Sequence, residues 1–280
     1  PLHQELARGT YQHGQYRRFC VFDPKSRIIH KASVRDRLLH HAVHRVLYPF
    51  FARTFIADSF SCQKEKGTHR ALNRFRAFAY RVSRNHTKTC WVLKCDIRKF
   101  FDSIDHEILL RILRQYISDD RILRLLERII RSFSTEPGKG LPLGNLTSQL
   151  FANIYLNELD QFMKHTLKAR RYVRYADDFV ILSESRERLE DLIPEIRGFL
   201  RERLVLELHP DKVFIKTFAS GIDFLGWVHF LDHRVLRTTT KRRMLRRLRE
   251  THSEATISSY RGLLQHGNAY GLTRLLESFV

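Results

Sequence analysis

Residues 174–182 read RYADDFVIL, and residues 95–106 read CDIRKFFDSIDH. The first is an apolar run broken by two adjacent acids, Asp177 and Asp178. With its neighbours it forms YVRYADDFVILS (172–183), which reads as two strands meeting in a tight turn at Ala176–Asp177. The second begins where WVLKCD (91–96), a short apolar strand, ends in Asp96. A lone pair of aspartates is an ordinary turn decoration. Adjacent acids beside buried strands, however, repel one another and need a positive counterpart. Carboxylate oxygens in a cleft suit hard divalent cations, and Mg2+ takes a few carboxylates together with substrate phosphates. In a split β-α-β sheet the end of the first strand and the turn of the later hairpin lie side by side, which brings Asp96 to Asp177 and Asp178. Two ions held about 3.5–4 Å apart there would clamp a phosphate between attacking and leaving oxygens.

Between these two segments the pattern is helical. Ser103 is expected to cap a helix carrying Ile104, Ile108, Ile112 and Tyr116 on one face. A second helix presents Ile122, Leu125, Leu126, Ile129 and Phe133. TEPGKGLPLGN (135–145) interrupts the periodicity, and a long helix over roughly 147–168 follows. After the acidic turn come a helix over 186–203 with Pro194 inside it, strands at VLEL (205–208) and KVFIKTF (212–218), and a hairpin in DFLGWVHFLDHRVL (223–236) turning at Asp232–His233. The order strand, helices, hairpin, helix, strand predicts an α+β fold with a ferredoxin-like βαββαβ sheet. In front of it, FDPKSRII (22–29) reads as a turn into a strand and DRLLHHAVHRVL (36–47) as a helix. Boundaries are expected near residues 90 and 235.

Charge narrows the partners. Fifty lysines and arginines against 30 acids leave a formal charge of +20. A compact body so charged repels itself and calls for a polyanion, most commonly nucleic acid. Residues 63–88 hold eight basic residues and one acid, with Arg70, Arg74, Arg81, Arg84 and Lys88 expected on one helix face. Residues 234–249 hold eight basic residues and no acid. An apolar share of 43 % permits a large core. No apolar run is long enough to cross a membrane, and PLHQELARGTYQ (1–12) has no apolar signal-peptide core. Pro1 in place of Met suggests a shortened N-terminus. Cys20, Cys62, Cys90 and Cys95 form no CxxC pair and read as free thiols of a reducing cytoplasm. His40 and His44 share a helix face, but no acid or cysteine completes a zinc site.

Taken together, DRLLHHAV (36–43), DSFSCQKEKGTHRAL (58–72), KCDIRKFFDSIDHEIL (94–109), GLPLGNLTSQLFANIYLNELD (140–160), RYADDFVIL (174–182), LHPDKVFI (208–215) and IDFLGW (222–227) occur in order along nearly the whole chain. In these blocks the chain resembles reverse transcriptases of the bacterial retroelement lineage. The resemblance implies a right-hand polymerase: fingers over 1–90 with part of 117–145, a palm over 91–235, and a helical, basic thumb over 236–280. It implies that Asp96, Asp177 and Asp178 are the catalytic, metal-binding acids, holding two Mg2+ ions, with Mn2+ as a substitute. Phe101, five residues beyond Asp96, falls where the family places an aromatic ring against the 2′-position of the incoming sugar. Lys25 and Arg27 are candidates for the triphosphate and Lys212 for the leaving phosphate. Arg70, Arg74, Arg237, Lys241, Arg242 and Arg246 are candidates for nucleic-acid backbone contacts, and the basic stretch Arg234–Arg249 would follow the template–primer duplex.

One block departs from the group II intron and retroviral pattern QGxxxSP. Here residues 143–149 read LGNLTSQ, and Leu143, Gly144 and Gln149 are expected at the nucleotide. The LGxxxSQ form is similar to reverse transcriptases of diversity-generating retroelements. Leucine cannot make the hydrogen bond open to glutamine, so checking of the nascent pair should loosen. That likeness implies adenine-directed mutagenic copying of a template-repeat RNA, with template RNA, RNA–cDNA duplex and deoxynucleoside triphosphates as partners. It also implies a small basic accessory protein and structured retroelement RNA, and no membrane partner. The alternatives are a group II intron-like, retron or antiphage-defence reverse transcriptase, or a catalytically silent RNA-binding scaffold.

Overall fold

The computed structural model describes residues 2–22, 26–251 and 253–277. The chain opens with helix α1 (Leu2–Ala7) and an antiparallel hairpin, β1 (Arg17–Val21) and β2 (Arg27–Lys31). Only β2 is expected from the sequence. RRFCV in β1 is exposed at every position, so it carries no buried alternation to read. The turn expected at FDPK, including Lys25, falls largely outside the described residues. Helix α2 (Val34–Phe51) starts at Ser33, whose hydroxyl accepts from the Asp36 amide, and buries Leu39, Val43, Leu47 and Phe51. Helix α3 (Thr68–Val82) buries Leu72, Phe75, Phe78 and Ala79. It ends before a left-handed run at Arg84, Asn85 and His86. Arg84 and Lys88 therefore leave the basic stripe expected on one helix face.

The centre follows the expected order: β3 (Trp91–Asp96), α4 (Phe100–Ser103), α5 (His106–Arg114), α6 (Asp120–Arg131), α7 (Leu146–Gln161), β4 (Tyr172–Tyr175), β5 (Asp178–Ser183), α8 (Arg186–Leu204) and β6 (Phe214–Thr217). The four strands lie in the order β4-β5-β3-β6, all antiparallel, which is the βαββαβ arrangement. Three local expectations change. Ser103 closes the single turn of α4, and Asp105 caps α5 by accepting from the Ile108 amide at 3.0 Å. The inner face of α5 is consequently Leu109, Leu110, Ile112 and Leu113, with Tyr116 outside the helix. VLEL is not a strand, because Val205 turns left-handed to stop α8 and only Leu208 bridges to Ile97. The helix over 147–168 ends at Gln161 and continues as one π-helical turn, Phe162–Thr166.

After the sheet, β7 (Ile222–Phe224), β8 (Trp227–His229) and β9 (Arg234–Leu236) form a meander rather than a single hairpin. The expected Asp232–His233 turn joins β8 to β9. A second tight turn at Leu225–Gly226, left-handed at both residues, adds β7. Helices α9 (Thr238–Glu250), α10 (Glu254–Leu264) and α11 (Tyr270–Glu277) complete the described chain.

Period-2 alternation in the strands divides the core. Leu93, Cys95, Tyr172, Phe179 and Ile181 pack with α2 and α5–α8 on one face of the sheet. Val92, Val173, Val180 and Leu182 pack with α3, the meander and α9–α11 on the other. Through the first layer runs one fully buried ion pair. Arg174 of β4 donates to both carboxylate oxygens of Asp160 at the end of α7, at 2.7 and 2.6 Å, and Tyr172 donates to the same group at 2.8 Å. Removing one partner strands a charge without water. Asp160→Ala is expected to lower folding stability by about 3–5 kcal/mol, read as a shift in urea midpoint; a loss below about 1 kcal/mol would show that the pair is not held dry.

Candidate active site

The β3–β5 ladder sets Asp96 directly opposite Asp178. Tyr175 and Asp178 pair across the β4–β5 turn, so Asp177 stands at its tip, preceded by Ala176 in a left-handed conformation (φ 54°). The turn is held from both sides. The Ile97 amide donates to the Asp177 carbonyl at 3.1 Å, and Arg174 Nη1 donates to the Ala176 carbonyl at 3.1 Å. The three distant acids thus meet at one end of the sheet.

Their electrostatics are unfavourable without cations. Burial pushes the Asp178 carboxyl up to about 6, with Asp96 and Asp177 adding to the rise and Lys94 opposing it. Asp177 is also raised, mainly by burial and further by Asp96, against the pull of Lys212 and Arg27. Lys212 Nζ stands 2.8 Å from Asp96 Oδ1, and Lys94 Nζ stands 3.3 Å from Asp178 Oδ2. Asp178 Oδ1 is buried with no hydrogen-bond partner. Hard oxygen donors, one of them orphaned, fit a divalent cation such as Mg2+. Among the described residues no group of three or more His, Cys, Asp and Glu side chains stands ready-spaced around an ion. Two of the acids are paired with lysines instead, Asp96 with Lys212 and Asp178 with Lys94.

Three spaces are lined by residues within two positions of these acids, though not by the acids themselves. Phe101 on α4 lines a small pocket with Gln149, Cys62, Asn153 and Ala176 of the turn. Arg27 and Leu143 line a cavity of about 840 Å³ with His30, Lys99 and Lys139. Its wall is stapled to β2: the His30 amide donates to the Leu143 carbonyl at 2.9 Å, and Asn145 Nδ2 donates to the His30 carbonyl at 2.8 Å. Gly144 is left-handed (φ 99°), and a Cβ there would meet Ile29 Cγ2 at 2.6 Å, so a side chain at this position is strained and must displace Ile29. A third space, a groove of about 980 Å³, runs between Arg27 and Tyr175 on one side and Arg237, Arg242, Arg243 and Arg246 on the other.

Not every basic residue named from the sequence faces these spaces. Arg70 and Lys241 are exposed and line neither large cavity. Arg74 is occupied structurally, bonded to Asp58 at 2.6 Å and lying over the Phe78 ring. Arg234 is buried, donating to the His266 carbonyl and to Asn73 Oδ1, so the basic stretch along the groove starts later than residue 234. Arg237 lines the groove while paired with Asp223. Two contributors went unremarked in the sequence reading, Lys94 and Arg174. The available signal was the same for both: a single cation inside an otherwise apolar strand.

Comparisons with known proteins agree with this geometry. The family described as reverse transcriptase (RNA-dependent DNA polymerase) matches residues 23–229. Protein YkfC of Escherichia coli K12 is 29% identical over 282 residues, covering 86% of this chain and 71% of that protein. Group II intron-encoded protein LtrA of Lactococcus lactis subsp. cremoris is 24% identical over 311 residues, covering 86% of this chain and 50% of LtrA. The chain therefore spans about half the length of that relative. Apo telomerase of Candida tropicalis, truncated from its C-terminal domain, superposes with a TM-score of 0.60 at 12% identity, over 80% of this chain and 55% of that one. That likeness shows the fold.

Because Asp178 keeps its proton to higher pH when folded than when unfolded, its contribution to stability is fullest below about pH 4 and declines as pH rises through about 6. In metal-free protein the stability of wild type relative to Asp178→Asn is expected to fall by up to roughly 3 kcal/mol between pH 4 and pH 7. Paired urea titrations with EDTA present test this, and parallel pH profiles for the two proteins would refute it.

Proposed function

The chain belongs to the reverse transcriptase (RNA-dependent DNA polymerase) family, and we propose that it makes cDNA at the end of its central sheet, with Asp96, Asp177 and Asp178 as the catalytic acids. The observation that carries this reading is the β3–β5 register, which sets Asp96 against Asp178, while Tyr175 of the same β4–β5 hairpin lines a groove rich in arginine. In the reaction the primer 3′-oxygen bonds to the α-phosphorus of a deoxynucleoside triphosphate, and the bond to pyrophosphate breaks. Asp96, Asp177 and Asp178 would hold two Mg2+ ions, or Mn2+ in their place, which would supply the positive charge that this displacement needs.

The chain's own residues do the rest. Phe101, against Phe100 and beside the acidic turn, blocks the side on which a ribose 2′-hydroxyl would lie. Arg27 stands where it serves both the nucleotide cavity and the duplex groove, and its charge reaches Asp177. Lys212, released from Asp96, offers a proton or a charge to the departing phosphate. Arg242 and Arg246 of α9 track phosphates without reading sequence. In this assignment residues 1–90 with part of 117–145 act as fingers, 91–235 as palm and 236–280 as thumb. Contacts of Arg128 with the Gly9 and Tyr11 carbonyls, and of Tyr16 with Ser132, support grouping α6 with the front of the chain.

Within the family, the apolar Leu143 at the nucleotide cavity supports mutagenic copying of a template-repeat RNA in a diversity-generating retroelement. Structured retroelement RNA and a small basic accessory protein would be its partners. A group II intron-like role is the second reading, favoured by the similarity to LtrA.

Asp177→Asn is expected to lower extension of oligo(dT) on poly(rA) by at least about 1,000-fold, a loss of roughly 4 kcal/mol in transition-state stabilisation, with the circular dichroism spectrum unchanged. Near-wild-type extension would take Asp177 out of the chemistry. Sequencing the cDNA separates the subclasses. Errors concentrated at template adenines, and reduced in Leu143→Gln, are expected for the mutagenic reading, whereas a flat error spectrum would overturn it.

A further inference from the structure

Lys94 is a lysine with 9 % of its surface exposed, in one of the two inner strands of the sheet. Dry ammonium groups are retained only when paired and hydrogen-bonded. This one has two partners on different parts of the fold. Its Nζ lies 3.3 Å from Asp178 Oδ2 and donates to the Asp223 carbonyl of β7 at 2.9 Å, with the Phe224 ring 5.9 Å away. The Asp223 side chain in turn accepts from Arg237, the residue that caps α9. Arg237 is anchored to the meander through its amide, which donates to the Gly226 carbonyl at 3.0 Å, and its buried Nε has no partner. A chain of polar contacts therefore runs from the acidic turn, through Lys94 and Asp223 of β7, to Arg237, which lines the groove.

We propose that Lys94 is a positioning residue that couples occupation of the basic groove to the Asp178 carboxylate. The inference rests on the polymerase reading above. A phosphate drawn to Arg237 competes with Asp223 for its guanidinium. A shift of Asp223 that reaches its backbone moves the carbonyl that holds Lys94, and with it the grip of Lys94 on Asp178. Loosening that grip frees a carboxylate whose other oxygen already lacks a partner. Coupling of this kind is reciprocal: if duplex in the groove favours cation binding at the acids, cation binding favours duplex by the same factor.

The test measures binding of a dideoxy-terminated RNA–DNA primer–template by fluorescence anisotropy, in saturating Mg2+ and in EDTA at matched ionic strength. Relative to wild type, the Mg2+-to-EDTA affinity ratio is expected to fall by about fivefold or more in Lys94→Met and in Arg237→Ala, and to be retained in Lys94→Arg. The double variant Lys94→Met/Arg237→Ala should fall no further than either single one, since both cut the same chain. A ratio unchanged in Lys94→Met, or single effects that multiply in the double variant, overturns the coupling. If Lys94→Met fails to fold, Arg237→Ala decides, and an unchanged ratio there overturns it equally. Extension of poly(rA)/oligo(dT) by wild type is run in parallel. Its failure removes the polymerase reading, whereas extension with an unchanged ratio removes only the coupling.

Discussion

The pairing of β3 with β5 is the constraint on which the rest depends. Asp96 faces Asp178 because Trp91 faces Ser183, and every residue between keeps step. A slip of one position would reverse the faces of the strand. Leu93 and Cys95 would then leave the helical layer, and the acids would lose their common edge. The register is thus enforced by apolar burial on both sides of the sheet, at roughly 1.5–3 kcal/mol for each large side chain removed from water. The same burial that fixes the strands raises the cost of the charges at their ends. Lys94, Lys212 and the Arg174–Asp160 pair answer that cost, each from a different element.

The excess of positive charge is divided between two uses. Some arginines are internal fasteners: Arg174 holds the acidic turn, Arg74 fastens α3 to Asp58, and Arg234 ties the meander to the segment after α10. Others, on α9, line the groove. A fastener is recognised by a carboxylate or carbonyl in its grip. Arg237 does both, lining the groove while paired with Asp223.

The central architecture was legible in the residues. Apolar alternation in WVLKCD and YVRYADDFVILS, with the interrupted helices between, yields the βαββαβ order that the sheet displays. Local signals failed where the pattern was silent or ambiguous. β1 has no buried face to announce it. VLEL looks like a strand by composition, yet Val205 terminates a helix there. Asp105 and Ser103 are both plausible caps, and the one-turn helix α4 consumes Ser103. The acids stand out as charges at the ends of apolar strands and Phe101 only through the family resemblance, whereas the partners that hold the acids do not stand out at all.

What the sequence alone determined is the succession of strands and helices and where acids and cations fall along it, because residue type, periodicity and turn-formers are local properties of the chain. What only the tertiary structure decided is the pairing of charges. Whether Lys94 meets Asp178, Lys212 meets Asp96, Arg174 meets Asp160 or Arg237 meets Asp223 depends on elements far apart in the chain arriving within hydrogen-bond distance. Electrostatic energy in a dry interior is settled at separations of a few ångströms, and such distances are fixed by packing rather than by any stretch of residues read in isolation.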